Sequence, residues 1–229
     1  MEWATRIFSV ESRTEPSDFV ERIWRTWSVP EENMLSVALP HWQIVVVRPS
    51  NGRPMTVVRG PETTTNVTGI PQDAEFLGIE FKLGAFMPAV ALDALVNVGR
   101  ELDVVSASRV AFAGRSWEIP NFDNAFDFVE HLVRDGALVR DQVVQQTLLR
   151  EPVAITERSV QRRFLRATGL SYGTVRQIER AERTVDLLSA GVSILDAVDI
   201  AGYSDQAHMT RSLQRFVGRT PGQLAVRAR

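Results

Sequence analysis

At 229 residues, with 44% hydrophobic and 24% charged side chains and a formal net charge of −2, the chain has room for two domains and an ordinary globular composition. It has no cysteine, which excludes disulfides, thiolate metal sites and thiol catalysis. No apolar run approaches the ~18–20 residues that cross a bilayer, and Met1-Glu2-Trp3-Ala4 does not open a signal peptide, so a reducing cytoplasm away from any membrane is the expected setting.

The charge is unevenly spread. Residues 150–229 hold 13 Arg and no Lys against 8 Asp/Glu, an excess of five positive charges, whereas the first 149 residues carry an excess of seven negative ones. Nucleic acid would meet the basic C-terminal half. Lys82 is the single lysine, so arginine serves as the default cation throughout.

From the N-terminus, residues 1–120 read mostly as short strands. The candidates are Arg6–Val10, Met34–Leu39, Gln43–Arg48, Thr56–Arg59, Glu75–Lys82 and Val110–Glu118, set between Pro- and Gly-bearing turns such as Pro49-Ser50-Asn51-Gly52. Strands at this spacing favour a barrel or sandwich. One early helix is predicted, with Phe19, Ile23, Trp24 and Trp27 on a common face, and another short one within Met87–Val98. Near Pro120 the apolar period lengthens to that of a helix. Phe122, Ala125, Phe126, Val129, Leu132 and Val133 make one face, Asp135-Gly136 a stop, and a second helix is expected over about Ala137–Arg150. The pair would form an αα-hairpin that packs on the barrel or on a second subunit.

The C-terminal half carries two helix-turn-helix patterns. In the first, Thr156 caps a helix whose inward residues are Val160, Phe164 and Leu165, and Arg158, Gln161, Arg162 and Arg166 share the opposite side. Arginine can bind guanine O6 and N7 bidentately and glutamine can do the same for adenine N6 and N7, so this face has the chemistry to read bases. Residues 171–190 form a rod ending at Gly191, with Val175, Ile178, Ala181, Val185 and Leu188 at helical spacing. About 18 residues at 1.5 Å each span roughly 27 Å, enough to hold two recognition helices about one DNA turn apart. In the second, Ser193 and Asp196 form a capping box and Gly202 ends the supporting helix. Ser204 or Asp205 then caps a helix with Met209, Leu213 and Phe216 inward and Gln206, Thr210 and Arg211 off that stripe. His208 is expected to serve the fold.

Gly202-Tyr203-Ser204-Asp205-Gln206-Ala207-His208-Met209-Thr210-Arg211, followed by Phe216, Gly218, Thr220 and Pro221, resembles the signature of the AraC/XylS family of transcription regulators, over about residues 141–225. Leu39-Pro40-His41 before one strand and Leu83-Gly84-Ala85-Phe86 after another resemble, more loosely, the cupin-type effector domain of one subgroup. The first unit departs from the family at Arg150, where a small residue is usual, and at Ala154, which replaces the turn glycine. Pro152 also sits near the end of its supporting helix.

The expected fold is thus α+β. Residues 1–120 would be a β-rich cupin-like regulatory domain, 121–140 a helical linker that could dimerise, and 141–229 the DNA-binding domain. The expected function is a sequence-specific DNA-binding regulator, contacting DNA through Arg158, Gln161, Arg162, Arg166, Gln206, Thr210 and Arg211. The resemblance implies control by a small-molecule effector or by homodimerisation, and a contact with RNA polymerase if the protein activates. Trp24, Trp42, Phe81 and Trp117 are candidates to line an effector pocket. Two rivals stand beside this reading. One is a ligand-independent repressor. The other is a metal-dependent cupin enzyme with an accessory DNA-binding module, which would need clustered ligands; His41, His131 and His208 fall in three separate segments. No catalytic residue, metal or cofactor is therefore expected.

Overall fold

The computed structural model describes residues 10–28, 33–69 and 71–225, and only the backbone of 33–35 and 67–69. The strand expected at Arg6–Val10 lies outside the described residues except for Val10. The N-terminal part is rich in antiparallel sheet and the C-terminal part is helical, an α+β arrangement.

The largest sheet has six strands in the order β1 (Glu11–Arg13), β2 (Val20–Trp27), β7 (Ala74–Phe81), β4 (Gln43–Pro49), β5 (Met55–Arg59) and β9 (Gly99–Glu101). Its centre is set by β-branched runs. Ile23, Ile44, Val46, Val58, Leu77, Ile79 and Phe81 line one face and are buried in the main core. Trp24, Val45, Val47, Met55 and Phe76 form a smaller cluster on the other. Among the described residues β1 and β9 remain the two edges, so the strands make an open sheet with satellites. These are the ribbon β3 (Asn33–Ser36) with β6 (Asn66–Gly69), and a three-stranded sheet of β10 (Asp103–Ser106), β11 (Arg109–Phe112) and β12 (Arg115–Glu118).

Several expectations are corrected. The early helix is the strand β2: after a register shift between Val20 and Arg22, Arg22, Trp24 and Thr26 alternate with Ile23, Arg25 and Trp27, and Trp24 pairs with Gly78 of β7. The shift puts Val20 and Ile23 on the same core-facing side, which gives the strand a helix-like apolar spacing, and pairing across the sheet overrides it. Val110–Glu118 is a hairpin that turns at Ala113 and Gly114, both at positive φ (51° and 73°). The short helix expected within Met87–Val98 is present, as a 3₁₀ turn at Leu92–Leu95.

The helix α1 (Ala125–Arg134) buries Ala125, Phe128, Val129 and Leu132 within the chain, with Phe128 edge-on to Phe112 at 6.5 Å. The helix expected over Ala137–Arg150 is interrupted. Val139–Arg140 forms β13, which pairs with β8 (Ala85–Phe86), and α2 (Gln142–Leu148) begins only after Asp141 caps it. The remaining helices are α3 (Glu157–Thr168), α4 (Tyr172–Ser189), α5 (Ile194–Ala201), α6 (Gln206–Val217) and α7 (Pro221–Ala225). One buried cluster runs from Val20 to Leu224, so sheet and helices share a core. No helix among the described residues is long and apolar enough to cross a membrane.

Candidate nucleic-acid interface

The second unit is built locally. Ser193 caps α5 by accepting from the Asp196 amide at 3.1 Å, while its hydroxyl donates to the Asp196 carboxylate at 2.6 Å. The acid thus answers on the hydroxyl and not on the Ser193 amide. Gly202 stops α5 in the left-handed region (φ 74°), where a residue without Cβ pays little. Four residues later α6 is under way. Its cap is Asp205, whose Oδ1 accepts from the His208 amide at 2.7 Å. That bond, helped by the Ser204 hydroxyl and the charge of Arg211, holds the Asp205 carboxyl below its usual range. His208 belongs to the same knot, with Nδ1 3.1 Å from Ser204 Oγ and its ring edge-on to Tyr203. From α4, Arg180 reaches over the Tyr203 ring and donates to the Gly202 carbonyl, pinning the turn to the rod. Gln206 and Arg211 are exposed on the first turns of α6. Thr210 is half-buried and its hydroxyl donates back to the Gln206 carbonyl at 2.8 Å.

The first unit is looser. Between α2 and α3 lie residues 149–156, with Arg150 at φ 59° in the position glycine usually takes. Thr156 caps α3, accepting from the Ser159 amide at 3.3 Å. Phe164, Ala167 and Thr168 are buried, and Phe164 meets Tyr172 of α4 edge-on. Leu165, expected inward, is 43% exposed. Arg158, Gln161 and Arg162 face out, Gln161 resting on Glu157 at 3.3 Å. Arg163 reaches Asp141, the cap of α2, at 3.4 Å. Arg166 is exposed as they are, and its guanidinium lies 5.3 Å from the centroid of Phe86 on β8.

Both α3 and α6 end on the sheet-bearing part. At the foot of α3, a Cβ added to Gly169 would stand 2.7 Å from the Leu92 carbonyl, so the two backbones approach as closely as glycine permits. At the foot of α6, the Ala38 amide donates to the Phe216 carbonyl (2.8 Å) and the Thr65 amide to that of Arg215 (3.2 Å). These carbonyls have no partner within their own helix. On α4, burial and then the repulsion of Glu80 and Glu179 push the Glu182 carboxyl up to about 7. Backbone contacts of this kind have no side-chain signature, which is why sequence reasoning missed Ala38, Thr65 and Leu92.

The aromatic residues expected around a ligand do not converge. Trp42 stacks on Phe81 at 4.0 Å and donates to the Ala85 carbonyl, both rings being buried. Trp24 is on the opposite face of the sheet, lying across Gly78. Trp117 packs on Phe112 and edges a polar cleft of about 320 Å³ between the β11–β12 hairpin and α1, lined also by Arg109, Glu118, His131 and Arg134. His41 contacts the Phe81 carbonyl at 2.8 Å, far along the chain from His131 and His208.

Residues 151–227 match a family model described as a helix-turn-helix domain, about the last third of the chain. No curated protein and no solved structure matches. The match does not reach the sheets, where the cupin-like resemblance stands unconfirmed. The capped helices α3 and α6 both lie inside it, so the chain carries a helix-turn-helix domain of the AraC type over residues 151–227, and that domain supports DNA-binding transcription regulation.

Proposed function

We propose that residues 141–229 read an operator with α3 and α6, and that residues 1–120, joined through 121–140, regulate this by binding a small effector or by pairing two copies. The observation that carries the reading is the exposure of Arg158, Gln161 and Arg162 on α3 and of Gln206 and Arg211 on α6, next to capped helix starts. Thr210 joins them through its methyl, suited to a thymine C5-methyl. An effector would act only through unequal affinity for two arrangements of the chain. The polar cleft beside Trp117 supports a small charged effector better than an apolar one. In an activator, RNA polymerase is the further partner.

The first helix carries the side chains best suited to base edges, and the second carries the pattern shared among regulators of different promoters, which suits the phosphate backbone they have in common. Arg162→Ala should therefore cost about 1–3 kcal/mol on the preferred site and relax preference at one position. Arg211→Ala should weaken all sequences alike and flatten the salt dependence by about one unit. Selection of bound sequences from random DNA, with and without a metabolite panel, measures this. If Arg162→Ala selects the wild-type profile while Arg211→Ala loses sequence preference, the roles are reversed.

A further inference from the structure

Both reading helices are tied to the sheet-bearing part at their C-terminal ends, and the ties are of different kinds. At α6 they are two backbone hydrogen bonds, from Ala38 and Thr65. At α3 they include the close approach of Gly169 to Leu92 and Pro61, the burial of Phe164 and Ala167 in the shared core, and a side-chain contact on the outward side, Arg166 over Phe86. Arg166 shares a side of α3 with Arg158 and Arg162 but sits in its last turn, while the cap and the outward Arg158 lie at the other end. At 5.3 Å from the ring centroid its cation is within reach of the ring's negative face. Phe86 is itself held, 6% exposed and on a strand paired to β13 immediately before α2. The rod α4 grips the second unit through Arg180, whereas its aromatic contact with α3, Phe164 on Tyr172, is close to the joint at Gly169. Phe164 and Ala167 seat α3 in the shared core, and the Phe86 wall is the contact that bears on its outward side near that joint.

We infer that Arg166 is a positioning residue acting through Phe86, and that the sheet-bearing part thereby sets the spacing at which the two reading helices meet DNA. This rests on the proposed reading of DNA by α3 and α6. A guanidinium held against a ring is not delivered to a phosphate, so its loss should leave the electrostatics of binding alone and alter the geometry.

The full chain, Arg166→Ala, Phe86→Leu and the double variant are titrated against the selected two-half-site DNA and against copies with 1 to 5 base pairs inserted between half-sites, at several salt concentrations. Half-sites one turn apart are about 10 base pairs centre to centre, so five extra base pairs turn one half-site to the far side. The wild type should lose at least tenfold in affinity on that insertion. Each single variant should narrow this ratio several-fold, the double variant should add nothing further, and the salt slope should stay as in wild type. A salt slope flatter by about one unit in Arg166→Ala with the spacing ratio intact would make Arg166 a phosphate contact and overturn the inference. So would a Phe86→Leu ratio equal to wild type. If the wild type binds no DNA, it is the operator reading that fails, and that outcome is distinct from both.

Discussion

The two helix-turn-helix units share a plan and differ in where their geometry comes from. In the second, the four residues from Gly202 to Asp205 supply the helix stop, the ring contact and the next cap, and Arg180 locks the turn from α4. In the first, residues 149–156 make a longer connection than the three or four residues typical of the motif. There the stop falls on Arg150, and α3 takes its bearing from Asp141, Phe86 and Leu92. The turn of the second unit is specified by neighbours in sequence and that of the first by neighbours in space, while the far ends of α3 and α6 both rest on the sheet-bearing part.

The largest expected effect concerns the rod between them. Glu182 on α4 is held near pKa 7 by burial first, then by Glu80 and Glu179, against an ordinary 4.5. A raised carboxyl pKa means that the folded chain keeps a proton the unfolded chain gives up, so stability falls as pH rises from about 4.5 to about 7. The penalty is absent below that window and complete above it. Each pK unit is about 1.4 kcal/mol, so Glu182→Gln should stabilise by up to about 3 kcal/mol at pH 8 and change little at pH 4. Denaturant titrations at both values test the sign. Hydrogen exchange in wild type at pH 8 sharpens the contrast: α3, which leans on the sheet, should lose protection before the locally built turn of α6 does.

A smaller effect tests the two helix stops directly. Gly202 and Arg150 both adopt positive φ, at 74° and 59°. A Cβ in the left-handed region costs roughly 1–2 kcal/mol, and at Gly202 no atom lies within 4 Å to add a clash. Gly202→Ala should therefore destabilise by about 1–2 kcal/mol. Arg150→Gly relieves the same strain but frees the unfolded chain, for a net gain of about 0.5–1 kcal/mol. Thermal melts of the two variants should shift in opposite directions; a loss in both would mean that Arg150 makes a contact outweighing its backbone strain.

The same contrast governs what could be read from the sequence. The second unit was legible because its instructions are adjacent: Gly202 as stop, Asp205 as cap, Met209, Leu213 and Phe216 as the inward stripe. The first reading helix was legible from Thr156 and its outward arginines. Its support was not, because Val139–Arg140 is drawn into a strand by Ala85–Phe86, some fifty residues upstream. Strands with β-branched runs, such as Gln43–Pro49, announced themselves, while Val20–Trp27 has a helical apolar spacing, broken by a register shift, and was settled by its pairing with β7. The role of Phe86 under Arg166 was invisible for the same reason: each residue has an ordinary local environment, and only the fold brings them together.

The smallest expected effect separates the two caps by acid. Thr156 caps α3 with a neutral hydroxyl, and Asp205 caps α6 with a carboxylate whose pKa is lowered chiefly by the His208 amide it accepts from, and then by Ser204. A depressed carboxyl pKa contributes stability that is present above the unfolded value of 3.8 and lost as pH falls through the lower folded one. As the cap is protonated it becomes a poorer acceptor and ceases to complement the positive end of the helix dipole. The start of α6 should therefore fray on acidification while the start of α3 does not. Amide exchange at His208 and Ser159, followed from pH 5 downward, reports each cap separately, because each amide donates to the cap in question. Asp205→Asn keeps an acceptor without the titration, and should abolish the difference between the two sites. Equal acid sensitivity at Ser159 and His208 in the wild type would mean that the two helix starts open together, as parts of one cooperative unit, and that the difference in their construction does not reach their dynamics.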